Sequence, residues 1–278
     1  MAVFVVIIGV LGVFIGMYFD NYSLAPIIAV SALIYAVIQY FAAGKLAMAM
    51  TGAQEIQKQH APELWRVVEN LAITSGMPMP KVYIIQDPAP NAFATGRDPQ
   101  HAIVGVTTGL LDIMDKRELT AVMAHEMSHV RNYDIRVSMI AFGLVSAIGL
   151  IADIVLRSMF YGGGDSRDRN VHPIFLIVGL IVVILAPILA TITQLAVSRQ
   201  REYLADASGM LLTRDAEGLA NALEKLKTYG QPMQKQSSST ANLFMNNPLK
   251  PSALSKLFST HPPLDDRIAR LRDAAEKM

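Results

Sequence analysis

Four long apolar stretches constrain the fold of this 278-residue chain more than any other feature of its sequence. They cover residues 2–19, 24–43 and 137–156, and the fourth lies within the charge-free run 170–198. A helix of about 20 apolar residues is long enough to cross a hydrocarbon core of roughly 30 Å. With 52% hydrophobic and only 17% charged residues, the chain is also more apolar than an ordinary soluble domain. We therefore predict four membrane-spanning helices, with the lipid bilayer as a partner.

The distribution of basic residues predicts the orientation of these helices. Of the 24 Lys and Arg residues, nine lie in residues 45–136 and twelve follow Ser198. Because basic residues accumulate on the cytoplasmic side of a membrane, both segments are expected there. The expected organisation is two N-terminal transmembrane helices (1–44), a cytoplasmic segment (45–136), two further transmembrane helices joined by a short external loop (137–198) and a C-terminal cytoplasmic segment (199–278).

The composition also excludes several classes of protein. The chain has no cysteine, so disulfides and thiolate metal sites are excluded, and a reducing compartment fits. A net charge of +1 without a basic and aromatic patch gives no indication of a nucleic-acid partner. The apolar stretches carry almost no ionisable residues, which argues against a transporter.

The polar segments predict a mainly α protein with a small sheet. Three β-rich runs, VYII (82–85), NAFAT (91–95) and AIVGV (102–106), are separated by Pro, Gly and Asp, and we expect a small antiparallel sheet. From Lys116 onward, apolar residues recur at helical spacing. The segment 231–244 is rich in polar residues and is expected to be an exposed loop.

The stretch AVMAHEMSHV, on that predicted helix, carries the chemistry. Residues four apart lie on one face of a helix, so His125 and His129 can bind one metal ion. Glu126 is displaced by about 100° around the axis and can meet a water molecule at the metal without binding the metal itself. This pattern predicts a zinc hydrolase in which Glu126 is the general base. The flanking charged residues place the site at the cytoplasmic membrane surface and not within the bilayer.

A catalytic zinc ion needs a third protein ligand, and Glu202 is the strongest candidate. It lies one turn before Asp206, which could accept the spare N–H of a ligand histidine. Taken alone, Glu202 would be assigned to a solvated charged helix face after a membrane span rather than to a metal site. Asp134 could orient a ligand histidine or simply begin the membrane interface.

Three motifs resemble those of one known family. TTGLLDIMDKRELTAVMAHEMSHVRNYD, then SRQREYLADASG, then STHPPLDDRIARL are similar to the HtpX family of membrane-bound zinc endopeptidases, relatives of the type I CAAX prenyl endopeptidases. By this resemblance, His125, His129 and Glu202 match the zinc ligands, Glu126 the catalytic base and Asp206 an acid that supports a ligand.

The resemblance also implies a fold and a biological role. The expected fold is an α-helical polytopic membrane protein with a mainly α (α+β), gluzincin-type zinc metalloprotease domain. The implied activity is cleavage of misfolded or damaged membrane proteins at the cytoplasmic face of a prokaryotic inner membrane. This role belongs to heat-shock and stress-response quality control and would link the chain to other membrane quality-control proteases.

Two further segments match the family with less chemical information. NAFATG resembles an edge strand, and an extended substrate could pair with Asn91, Ala92, Phe93 and Ala94 through its main chain; an ordinary strand that ends in a Gly turn is the alternative. His261 could donate a hydrogen bond to a tetrahedral oxyanion. Alternatively, His261 and the prolines after it begin a helix.

A non-enzyme remains the rival to the protease. In that alternative the metal only holds two cytoplasmic segments together, and the chain is a zinc-dependent membrane sensor or adaptor. Three protein ligands and a neighbouring glutamate favour the enzyme, whereas a fourth protein ligand would favour the structural role.

Overall fold

A computed structural model describes residues 23–143, 199–235, 237, 239–249 and 262–277. The predicted membrane spans at 2–19 and 170–198 lie outside these residues, as does the span 137–156 from residue 144 onward. The predicted segment boundaries therefore stay predictions.

The described residues are mainly helical. The α-helices are α1 (Leu24–Thr51), α2 (Pro62–Ser75), α3 (Thr108–Ile113), α4 (Lys116–Arg131), α5 (Arg199–Thr213), α6 (Ala216–Tyr229) and α7 (Leu264–Ala275). Short 3₁₀ turns occur at Pro99–His101 and Ala241–Leu243. Residues 134–143 are also helical, up to the end of that described stretch.

Helix α1 covers the second predicted span, 24–43. Its outward side chains include several large apolar groups, each more than half exposed: Ile27, Val30, Leu33, Ile34, Val37, Ile38 and Phe41. Among the residues that the structure describes, no helix combines the length and the apolar character that crossing a membrane requires.

A four-stranded sheet lies beside the helices. Its strands are β1 (Gln54–Glu55), β2 (Lys81–Ile85), β3 (Ala92–Gly96) and β4 (Ala102–Thr107), in the order β1-β2-β4-β3. The three predicted runs are strands, but the expectation of an antiparallel sheet was wrong, because β2 and β4 are parallel and the sheet is mixed. β4 pairs with β3 on one side, where the two strands are antiparallel. On its other side β4 pairs with β2, and these two strands are parallel.

Helix α4 lies at the centre of the main hydrophobic core and packs against α2, α5, α6 and β3. A capping box begins it: the Asp115 carboxylate accepts from the Glu118 backbone N–H at 2.8 Å, and the Glu118 carboxylate accepts from the Asp115 backbone N–H at 2.9 Å. These bonds satisfy two backbone donors that a helix start would otherwise leave open. The apolar side of α4 is fully buried at Leu119, Val122, Met123, Met127 and Val130.

The predicted polar loop 231–244 is not wholly at the surface. Met233 and Phe244 are buried, and the ring of Phe244 packs edge-on against that of Phe93, with their centres 5.6 Å apart. The few apolar side chains of the segment therefore attach it to the sheet despite its polar composition.

Candidate metal centre

Two helices bring three predicted ligands together. α4 places His125 and His129 one turn apart on one face, and α5 packs against that face with Glu202. His125 and Glu202 are almost completely buried, at 1% exposure each. Their donor atoms, with those of His129, lie within 4.8 Å of one another.

The distances between these donor atoms are close to those between the ligand atoms of a zinc ion. The Nε2 atoms of His125 and His129 are 3.3 Å apart. Glu202 Oε2 lies 3.7 Å from Nε2 of His125, and Oε1 lies 3.5 Å from Nε2 of His129. With bonds of about 2.0–2.1 Å, ligand atoms around a tetrahedral zinc ion are separated by roughly 3.3 Å. The three donors therefore fit a zinc ion without a large rearrangement.

Carboxylates hold the other nitrogen of each histidine ring. Nδ1 of His125 lies 2.9 Å from Asp206 Oδ1, and Nδ1 of His129 lies 3.1 Å from Asp134 Oδ2. A proton on Nδ1 that is donated to a carboxylate leaves the Nε2 lone pair for a metal ion. The structure thus brings both predicted supporting acids, Asp206 and Asp134, to the ligand histidines.

The loop after α4 explains the position of Asp134. Tyr133 has φ of 60°, in the left-handed region that non-glycine residues rarely adopt. This turn ends α4 and starts the next helical stretch, and Asp134 reaches back to His129.

The two histidines differ in their affinity for protons. Burial lowers the pKa of His125 to about 4, and the neighbouring Arg267 cation acts in the same direction. Burial alone would also lower the pKa of His129, but its bond to Asp134 and the carboxylates around it outweigh burial and raise that pKa to about 9. In the metal-free protein at neutral pH, His125 is neutral and His129 carries a proton.

Glu126 is buried on α4 beside the three donors, at 3% exposure. Its negative charge is close enough to His129 to contribute to the raised pKa of that ring. It is not one of the three residues whose donor atoms converge. Its place therefore matches that of a group next to the metal and not of a ligand.

One residue of the site was missed by the sequence analysis. Arg267, on α7, is completely buried and contacts both Glu202 and Asp206. Its position in the sequence could have indicated burial, because helical spacing places Arg267 on the same face of α7 as Ile268 and Leu271. A charged residue on the apolar face of a helix is a candidate for a buried ion pair.

The predicted substrate strand is an edge strand of the sheet. Part of its outer edge is already paired within the chain: the Met245 N–H donates to the Ala92 carbonyl at 2.8 Å, and Phe244 forms a bridge with Phe93. The Asn91 side chain donates to the Asn246 carbonyl at 2.8 Å. Substrate pairing with residues 91–94 stays a prediction, and His261 lies outside the described residues.

Comparisons with known proteins identify the family of this chain. The model of "Peptidase family M48" matches residues 58–275. The chain is 56% identical over 239 residues to a Protease HtpX homolog of Tropheryma whipplei (strain Twist), which covers 86% of this chain and 81% of the relative. It is 47% identical over 280 residues to a Protease HtpX homolog of Lactobacillus helveticus (strain DPC 4571), which covers 98% of this chain and 94% of the relative.

A solved structure shares the fold. The crystal structure of S. mikatae Ste24p aligns with a TM-score of 0.54 at 22% sequence identity, over 95% of this chain and 62% of that chain. The family match spans most of the sequence and includes both helices that carry the three donor residues. The chain therefore belongs to peptidase family M48 and is a metalloprotease.

Proposed function

We propose that this metalloprotease is a zinc endopeptidase, anchored in the membrane, that hydrolyses peptide bonds of misfolded or damaged membrane proteins at the cytoplasmic face. The observation that carries the proposal is the buried group of His125, His129 and Glu202. Two imidazoles and one carboxylate are a ligand set of catalytic zinc sites, which keep a fourth position open. Within the described residues, no other His, Cys, Asp or Glu joins the group, which favours catalysis over a purely structural sensor or adaptor site.

The residues of the site have distinct roles in this proposal. A zinc ion held by the three donors would polarise the scissile carbonyl and activate a water molecule. Glu126 would act as the general base that takes a proton from this water and as the acid that gives it to the leaving amine. Asp206 and Asp134 keep the two imidazoles in the orientation in which Nε2 faces the metal.

In this proposal, an extended substrate would pair with the edge of β3. Main-chain hydrogen bonds to a strand edge do not depend on the substrate side chains, so broad specificity is expected. Since Met245 already uses the Ala92 carbonyl, a substrate would pair with the part of β3 beyond Phe93 or would displace residues 244–246.

Membrane attachment rests on the apolar stretches of the sequence and on the exposed apolar side chains of α1. Side chains such as Ile38 and Phe41, at 59% and 61% exposure, would be unfavourable in water and favourable in lipid. The positive-inside bias supports a cytoplasmic position for the metal centre.

The absence of cysteine allows a clean test of this topology. Ser166→Cys, in the predicted external loop, and Ser237→Cys, in the C-terminal segment, would each give the full-length chain one thiol. In intact cells, a membrane-impermeant maleimide should label the first variant, and it should label the second only after the membrane is opened. The reverse pattern, or extraction of the protein by carbonate wash alone, would contradict the proposed anchoring.

The substrate class has its own test. The purified protein and a membrane-protein substrate would be reconstituted into one set of liposomes, with the substrate either native or destabilised by a core mutation. We expect zinc-dependent cleavage of the destabilised form and little cleavage of the native form. Equal cleavage of both forms would remove misfolding as the criterion while leaving the protease in place.

A further inference from the structure

Arg267 places a positively charged guanidinium group inside the metal centre. Its side chain is fully buried, at 0% exposure, and it comes from α7, which is remote in sequence from both ligand helices. An ionised group is buried at a large cost in free energy unless partners compensate it. The identity of those partners therefore indicates what the residue does.

The guanidinium group contacts two carboxylates on adjacent turns of α5. Nε donates to Asp206 Oδ2 at 2.9 Å and Nη2 donates to Asp206 Oδ1 at 2.6 Å, so the two side chains form a bidentate ion pair. The third nitrogen, Nη1, lies 3.3 Å from Glu202 Oε2. The guanidinium group therefore forms two hydrogen bonds with Asp206 and a charge contact with Glu202.

Asp206 connects this cation to the first ligand histidine. Its Oδ1 atom accepts from Arg267 and also lies 2.9 Å from Nδ1 of His125. An oxygen held from one side by a fixed guanidinium cannot rotate freely, so it determines the ring orientation of His125 on the other side. Burial alone would raise the pKa of Asp206, but Arg267 and the hydrogen bond with His125 together outweigh burial and lower that pKa to about 2.

We propose that Arg267 is a positioning residue of the metal centre, which holds Glu202 and Asp206 in the arrangement that binds the metal and so makes the C-terminal helix part of the site. It touches ligands and their supporting acid, and it acts on the reaction through them. The proposal rests on the proposed zinc site, and its test measures metal affinity, which is separate from proteolysis.

Charge alone does not explain the arrangement, and this gives a discriminating variant. Lysine keeps the positive charge but carries it on one nitrogen at the end of a flexible stem, so it lacks the rigid planar fork that pairs with both oxygens of Asp206 while it faces Glu202. If Arg267 only neutralised buried carboxylates, Arg267→Lys would retain the metal as well as wild type. If the bridge matters, Arg267→Lys will bind the metal more weakly, and Arg267→Gln more weakly still.

The experiment measures zinc affinity by competition with a chromophoric chelator, on full-length protein purified in detergent. The control is Arg272→Gln on the same helix, because Arg272 is half-exposed and pairs with Glu224 away from the metal centre. Loss of a partner that orients a metal ligand costs about 10–100-fold in metal affinity or activity. We expect a loss in that range for Arg267→Gln, a smaller one for Arg267→Lys and wild-type affinity for Arg272→Gln.

A double-mutant cycle tests whether Arg267 acts through Asp206. With Asp206→Asn already present, Arg267→Gln should reduce zinc affinity by a smaller factor than it does in wild type, since its main partner is already altered. Two independent, multiplying losses would overturn the positioning role through Asp206.

Thermal melting of the metal-free variants separates positioning from folding. Wild-type zinc affinity in a folded Arg267→Gln protein would overturn the proposal. If Arg267→Gln does not fold, Arg267→Lys decides: reduced affinity with a near wild-type melting temperature supports the proposal, and wild-type affinity or failure to fold overturns it. If the wild-type protein binds zinc, depends on Arg267 for its affinity and yet cleaves nothing, the proposed protease function is refuted and the positioning role of Arg267 is not.

Discussion

At the scale of single residues, the metal centre gives two chemically identical side chains opposite properties. Burial and then the Arg267 cation lower the pKa of His125, so it is neutral, whereas the carboxylates around His129 raise its pKa and it holds a proton. The spacing of the HEMSH motif predicts that both rings can share one ion, but it contains no information on which ring is protonated. That difference depends on Arg267 and Asp134, which the fold brings in from outside α4.

This asymmetry predicts the proton linkage of zinc binding. Metal ligands must be deprotonated, so zinc must displace the proton of His129. We expect about one proton to be released at pH 7, and the apparent zinc affinity to rise with pH and to level off only above about pH 9, where His129 loses its proton without the metal. Calorimetric titration in buffers of different ionisation enthalpy measures this release, and release of no proton would contradict it.

The raised pKa of His129 also affects the stability of the metal-free protein. This stability should fall with rising pH, whereas zinc affinity should rise. A group whose pKa is higher in the folded than in the unfolded protein stabilises the fold most below its unfolded pKa. For His129 this contribution is complete below about pH 6.5 and is lost as pH rises towards 9. Thermal melts of the metal-free protein across this window should show the decline, and His129→Gln should remove it.

At the scale of elements, the centre depends on the close approach of α5 to α4. Gly209 makes this possible, because a Cβ atom there would lie 3.0 Å from the backbone nitrogen of His125 and 3.2 Å from its Cα. The backbone of α4 cannot move aside as a flexible side chain could. Glycine one turn beyond Asp206 therefore lets α5 come close enough to α4 for Glu202 to reach the histidines.

Gly209→Ala should consequently weaken both the fold and the site. Overpacking of a tight contact costs about 1–3 kcal/mol, and here it would push Glu202 away from His125 and His129. We expect a lower melting temperature together with reduced zinc affinity. Ser208→Ala, at the adjacent position of α5, is the matched control and should retain both properties; a Gly209→Ala protein with wild-type zinc affinity would show that the helix contact does not control the site.

The elements also show what local sequence can and cannot predict. Helix α4 follows from its apolar spacing and from the capping residues Asp115 and Glu118, which are all local signals. The three main strands were found from their β-rich composition, but the parallel pairing of β2 with β4 was not. Strand order depends on which edges remain free after β3 and β4 pair, and this is a property of the assembled sheet.

At the scale of the whole molecule, three segments far apart in sequence meet at one point. α4 provides two histidines and Glu126, α5 provides Glu202 and Asp206, and α7 provides Arg267. Motif spacing predicted the first set, and helical periodicity with the family resemblance predicted the second. The third was missed because the helical spacing that places Arg267 on the buried face of α7 does not show which groups of the other helices it meets there.

The measurement that tests the account most directly compares full-length wild type with Glu126→Gln, in zinc content and in cleavage of an unfolded model protein. Because Glu126 lies beside the ligands and is not one of them, the variant should keep its zinc. Loss of a general base should slow cleavage by about 10²–10⁴-fold. Cleavage by Glu126→Gln at the wild-type rate, or zinc-loaded wild type that cleaves none of several unfolded proteins, would contradict the account.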